Sequence, residues 1–128
     1  MTPRPRLLAA ALAACTGAAC FSEHEPSGPS DALTCVRAAE PPGPDSAFVV
    51  VSGFAFAPAE LRVPAGTEVV WINCEPAGTP GHTTTAGGGE WDSPTLSPGE
   101  VFSAIPAAGD HPYFCRVHPF MQARVIVE

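Results

Sequence analysis

Beyond residue 46 the apolar positions fall into short runs broken by Gly and Pro, and none keeps a 3.6-residue period. Phe48-Val49-Val50-Val51 reads as a buried strand. Phe54 and Phe56 continue an alternating pattern until Pro58, which cannot donate to a strand ladder, stops it. Leu61-Arg62-Val63 alternates in and out, and Pro64-Ala65-Gly66-Thr67 is a turn sequence. In the next run Val69, Trp71 and Asn73 share one face, and Val70 and Ile72 the other. Apolar residues on both faces predict a central strand, with Trp71 in the core. Thr83-Thr84-Thr85 predicts a short strand, Gly87-Gly88-Gly89 a tip, and Ser97-Pro98-Gly99-Glu100 a turn. Val101 to Ile105, His111 to Cys115 and Ala123 to Val127 complete the strands, with a turn at Ala107 to Asp110. Short strands at roughly ten-residue spacing with turn signals between them point to an all-β sandwich.

The first third of the chain has a different pattern. Arg4 and Arg6 precede the apolar stretch Leu7 to Ala14, a targeting segment too short to span a bilayer. Leu12-Ala13-Ala14-Cys15 resembles a bacterial lipobox, in which Cys15 becomes the lipidated first residue. An ordinary signal peptide cleaved near Ala19 is the other reading, and Cys20 leaves the cut position open. Both readings export the protein, to the periplasm or to a membrane anchor facing an oxidising compartment. Residues 15–45 interleave acidic side chains with Pro26, Pro29, Pro41, Pro42 and Pro44. Such a segment cannot bury enough apolar surface to order itself and stays extended, as a tether would. His24 within it reads as solvated. The expected organisation is a targeting segment at 1–14, a linker at 15–45 and one folded domain at 46–128.

Composition narrows the function classes. The basic residues are 6 Arg, with no Lys, against 13 Asp plus Glu, giving a net charge of -7. That balance excludes a basic nucleic-acid-binding surface and favours a neutral or basic partner. A folded part of roughly 80 residues is near the size where an apolar core alone is marginal and a staple helps. A metal tying distant segments together is one such staple.

The C-terminal run supplies the chemistry. Cys115, His118 and Met121 fall at i, i+3 and i+6 on one loop between two strand-like runs. A tight turn there can aim thiol, imidazole and thioether at one point. Thiolate and thioether favour a soft, copper-like ion, and a His₂Cys set with a weak axial Met marks an electron-transfer copper site. The second imidazole has a candidate in His82, which follows the central strand after a Pro/Gly-rich loop. His111 is the rival, but four residues along a strand from Cys115 is on the order of 13 Å, too far for one ion without a sharp bend. Zinc is disfavoured, because structural zinc sites do not use Met. An enzyme with Cys115 as nucleophile and His118 as base lacks a third, orienting group and leaves Met121 without a role.

With Val-Val-Trp-Ile-Asn before His82 and Cys-x-x-His-Pro-Phe-Met after it, residues 48–128 resemble the cupredoxins, the small blue copper proteins, most closely those of the plastocyanin/amicyanin type. The resemblance implies a cupredoxin-like Greek-key β-sandwich that holds one type 1 copper ion through His82, Cys115, His118 and Met121. It implies a monomeric electron carrier, not an enzyme. Redox partners would dock weakly at the exposed edge of His118, beside Pro119 and Phe120, and a lipid on Cys15 would tether the carrier to a membrane. A periplasmic copper-binding or delivery protein with no redox partner would use the same ligands. Two departures stand out: a long loop between Asn73 and His82, and Thr83 where the family usually has Asn. The Thr83 hydroxyl is expected to hold the Cys115 loop by a hydrogen bond, and Arg116 is a further possible influence on the thiolate. Of the 5 Cys, a Cys35–Cys74 disulfide is the favoured pairing, with Cys20 able to take either place.

Overall fold

The computed structural model describes Cys35 and residues 45–128. The expected targeting segment, Cys15, Cys20, His24 and nearly all of the expected linker lie outside the described residues. Among the described residues eight strands form: β1 (Ser46–Ser52), β2 (Ala55–Ala57), β3 (Glu60–Val63), β4 (Glu68–Asn73), β5 (Thr85–Ala86), β6 (Val101–Ala104), β7 (Gly109–Phe114) and β8 (Gln122–Val127). They make two four-stranded sheets, ordered β2-β1-β4-β6 and β3-β8-β7-β5. The expected all-β sandwich is what the chain forms.

Period-two burial builds the core between the sheets. Ala47, Val49 and Val51 of β1 face inward, as do Val69 and Trp71 of β4 and Tyr113, Val125 and Val127 from the second sheet. Trp71 is fully buried and packs against Trp91, Phe102 and Tyr113. It is a core residue in the central strand, as its two-sided apolar surroundings predict. β1 and β4 pair in parallel, with Val51 opposite Asn73. That register sets the β1–β2 turn beside the end of β4, where Cys74 N–H donates to Val51 O at 2.8 Å. Asn73 ties this end together: its Nδ2 donates to Leu96 O at 2.8 Å and its Oδ1 accepts the Glu75 N–H at 3.0 Å. Cys74 is bonded to Cys35, joining segments 39 residues apart in sequence.

Two strand expectations need correction. Phe54 is not a strand residue; β1 ends at Ser52, and Gly53 and Phe54 form the two-residue turn into β2. Both have positive φ, at 61° and 58°, as a tight hairpin turn requires. Thr83 and Thr84 are also outside β5, because other partners take their hydrogen-bonding groups. Thr84 exchanges backbone and side-chain bonds with Ser93, and Thr83 serves the Cys115 loop, as described next.

Candidate metal centre

The loop from Cys115 to Met121 is closed by two backbone hydrogen bonds. Cys115 N–H donates to Met121 O at 3.1 Å, and Met121 N–H donates to His118 O at 2.9 Å. This compact turn follows directly from β7 and feeds β8, so its side chains are held at one pole of the sandwich. Cys115 and Met121 are buried in the core cluster, while His118 is half-buried.

His82 reaches the same pole from the connection between β4 and β5. Its backbone forms a two-bond bridge with Leu96, His82 N–H to Leu96 O at 3.0 Å and Leu96 N–H to His82 O at 2.7 Å. Gly81 makes that approach possible. A Cβ on it would lie 2.5 Å from Thr95 Cγ2 and 3.0 Å from Leu96 O.

The side chains converge. Cys115 Sγ lies 3.9 Å from His82 Nδ1 and 3.8 Å from His118 Nδ1, and the two imidazole nitrogens are 3.2 Å apart. One ligand atom from each residue therefore falls within 4.8 Å of the others, a spacing that accommodates one metal ion between them. His82 and Cys115 are both fully buried. Two imidazoles and a thiol match the donor preferences of copper.

Burial holds the pKa of His82 below its ordinary 6.5, and the neighbouring His118 acts in the same direction. Glu75 opposes them, with Oε1 3.4 Å from His82 Nε2. The balance leaves the imidazole neutral near pH 7, the form that ligates metals.

Thr83 fixes the thiol from two directions. Its N–H points at Cys115 Sγ at 3.3 Å, and its hydroxyl accepts the Arg116 N–H at 2.8 Å. The expected hydroxyl bond to the Cys115 loop is thus present. Bonds of this kind orient a ligand and tune a bound metal. The Arg116 side chain is engaged elsewhere, with Asp92 Oδ1 at 3.2 Å and Ser93 O at 3.1 Å. His111 lies outside the three-residue group. Its Nε2 is 2.7 Å from Ala107 O, and its Nδ1 is 3.3 Å from Glu90 Oε1.

Two neighbours of the site were not singled out from sequence. Glu75 is buried beside His82, and the Phe54 ring stands edge-on to both His82 and His118. The signal for Phe54 was Gly53, which marks a turn rather than a strand. Glu75 carries no such signal. Around the rim, Phe54, Val117 and Phe120 are exposed, Phe120 to 71%.

No protein-family model matches the chain. Amicyanin-alpha of Methylorubrum extorquens is 34% identical over 128 residues, covering 98% of this chain and 99% of that protein. The structure of a reduced, Cu(I) form of an amicyanin variant superposes with a TM-score of 0.58 at 29% identity, over 71% of this chain and 89% of the other. A purple cupredoxin from Nitrosopumilus maritimus shares the fold, with a TM-score of 0.55 at 23% identity over 63% of this chain and 98% of its own. A near-full-length relative and the shared sandwich agree with the donor set at its pole: the chain belongs to the cupredoxin family, among its amicyanin-like members.

Proposed function

We propose that the protein is a one-electron carrier that holds a single copper ion between His82, Cys115, His118 and Met121. The observation that carries this reading is the convergence of the Cys115 thiol and two imidazole nitrogens within 4.8 Å, inside a buried, hydrogen-bonded framework. Copper bound there supplies the Cu(I)/Cu(II) couple, one electron at a time. Every other feature is the work of the chain. His82 and His118 offer neutral nitrogens, and Cys115 offers sulfur already polarised by the Thr83 N–H. Met121, buried in the same cluster as Cys115, is the fourth and weakest donor. Because Thr83, Leu96 and the closed loop hold these groups through backbone contacts, oxidation and reduction need little rearrangement of the protein.

The half-buried edge of His118 is the route for electrons, and the exposed ring of Phe120 beside it, with Pro119, forms the docking face. A patch of that size suits a brief encounter at the low end of interface areas. We assign the working protein as an exported monomer, held at a membrane by a lipid on Cys15.

Loading the purified protein with Cu(II) tests this reading. An intense visible thiolate band with reversible one-electron voltammetry is the expected result. Copper binding without reversible redox would favour a delivery role, and no thiolate band would overturn both.

A further inference from the structure

Phe54 occupies a place in the β1–β2 turn where a phenylalanine is strained. Gly53 and Phe54 lie between the paired residues Ser52 and Ala55, and the φ of Phe54 is 58°. Bulky residues rarely adopt that conformation, and two-residue hairpin turns favour Gly at this second position. Strain of this kind persists only where the surroundings hold it.

The surroundings here are the metal centre. Phe54 N–H donates to Glu75 Oε1 at 2.7 Å, and the same oxygen lies 3.4 Å from His82 Nε2. Glu75 is itself buried, its own N–H bonded to Asn73 Oδ1 at 3.0 Å. One carboxylate oxygen therefore holds the turn amide and lies against the His82 imidazole. The Phe54 ring then spans to the second sheet. Its centroid is 5.3 Å from that of His82 with an interplanar angle of 88°, and 5.1 Å from that of His118 at 89°. Edge-to-face contacts at these separations are attractive and geometrically selective. His118 comes from a different loop and is half-buried, and the Phe54 ring packs against it from outside that loop.

We infer that Phe54, latched by Glu75, is a positioning residue that fixes the His118 imidazole against His82 and closes that side of the centre to small ligands from solvent. The inference rests on the reading of both histidines as metal ligands. It differs from a role in the turn alone, because glycine would relieve the backbone strain. A turn residue could be exchanged for Gly with no consequence at His118.

Two measurements on the purified protein separate these cases. In the unloaded protein, nitrogen-15 NMR follows the His118 ring. Phe54→Gly should broaden its resonances by exchange, Phe54→Tyr should keep them sharp, and Glu75→Ala should broaden them less than Phe54→Gly. In the Cu(II)-loaded protein, azide titrated into Phe54→Gly should bind at least tenfold more tightly than to wild type, while Phe54→Tyr stays within twofold. If Phe54→Gly and Glu75→Ala both keep sharp His118 signals and wild-type azide affinity, the inference is wrong. Wild type without a thiolate band would sink the electron-carrier reading instead, and the NMR arm would still report on Phe54.

Discussion

Thr83→Val removes one atom's worth of chemistry from the wall of the site and leaves the shape nearly unchanged. Thr83 is only 2% exposed, and its hydroxyl is the acceptor for the Arg116 N–H at 2.8 Å. Valine deletes that acceptor and keeps the Thr83 N–H, so the contact to Cys115 Sγ at 3.3 Å survives in principle. An N–H left without a partner in a buried site costs about 1–3 kcal/mol. The Arg116 amide is only partly buried, which places the expected loss in the lower half of that range, about 1–2 kcal/mol. For a domain of this size each kcal/mol lowers Tm by roughly 4–8 °C, so the fall should be roughly 5–15 °C. Thr85→Val is the control. The Thr85 hydroxyl donates to Asp92 Oδ1 at 2.8 Å and lies 3.3 Å from the Thr83 hydroxyl, so Thr85→Val removes that shared bond and leaves the Arg116 acceptor in place. Thermal unfolding of the unloaded protein, followed by Trp fluorescence at neutral pH, measures both. If Thr83→Val costs no more than Thr85→Val, the hydroxyl does not hold the loop, and the account of how the thiol is fixed fails.

Further outcomes are expected from groups around the core and the site. Burial raises the Tyr113 phenol well above its ordinary 10.0, against an opposing contact with Trp71. The unfolded chain ionises first, so stability should fall as pH rises above 10.0, and Tyr113→Phe should flatten that alkaline slope in urea titrations. For His82 the sign is reversed. Its folded pKa lies below 6.5, so the unfolded state takes up the proton first and the unloaded protein should lose stability as pH falls below 6.5; His82→Asn should remove part of that loss. Replacing both Cys35 and Cys74 by Ser opens a link across 39 residues of sequence. The chain-entropy model puts its contribution at about 4 kcal/mol, readable as a lower denaturant midpoint with an unchanged thiolate band.

Much of the centre was legible because its chemistry is local. Cys115, His118 and Met121 lie within seven residues, and their types name a soft ion before any fold is known. His82 was legible by its position after the central strand, and Thr83 through the cupredoxin resemblance, in which the residue after that histidine holds the Cys115 loop. The central place of Trp71 followed from apolar neighbours on both faces of β4. What escaped was tertiary. A period-two reading carried Phe54 into a strand, since alternation cannot register a positive φ. Glu75 gains its meaning only when the parallel pairing of β1 with β4 brings the β1–β2 turn across to it. Thr83 and Thr84 read as strand by composition, yet Arg116 and Ser93 claim their bonding groups. The Cys35–Cys74 link, by contrast, is the favoured pairing, and it forms at the end of β4.

The central claim is that His82, from the connection between β4 and β5, and the Cys115 loop, between β7 and β8, bind one copper ion together. Its most direct test is a Cu(II) titration of the purified protein followed by visible absorption, in parallel with His82→Ala. An intense thiolate band should saturate at one copper per chain in wild type and be lost or strongly shifted in His82→Ala. A wild-type protein without that band, or a His82→Ala variant that keeps it unchanged, would contradict the account.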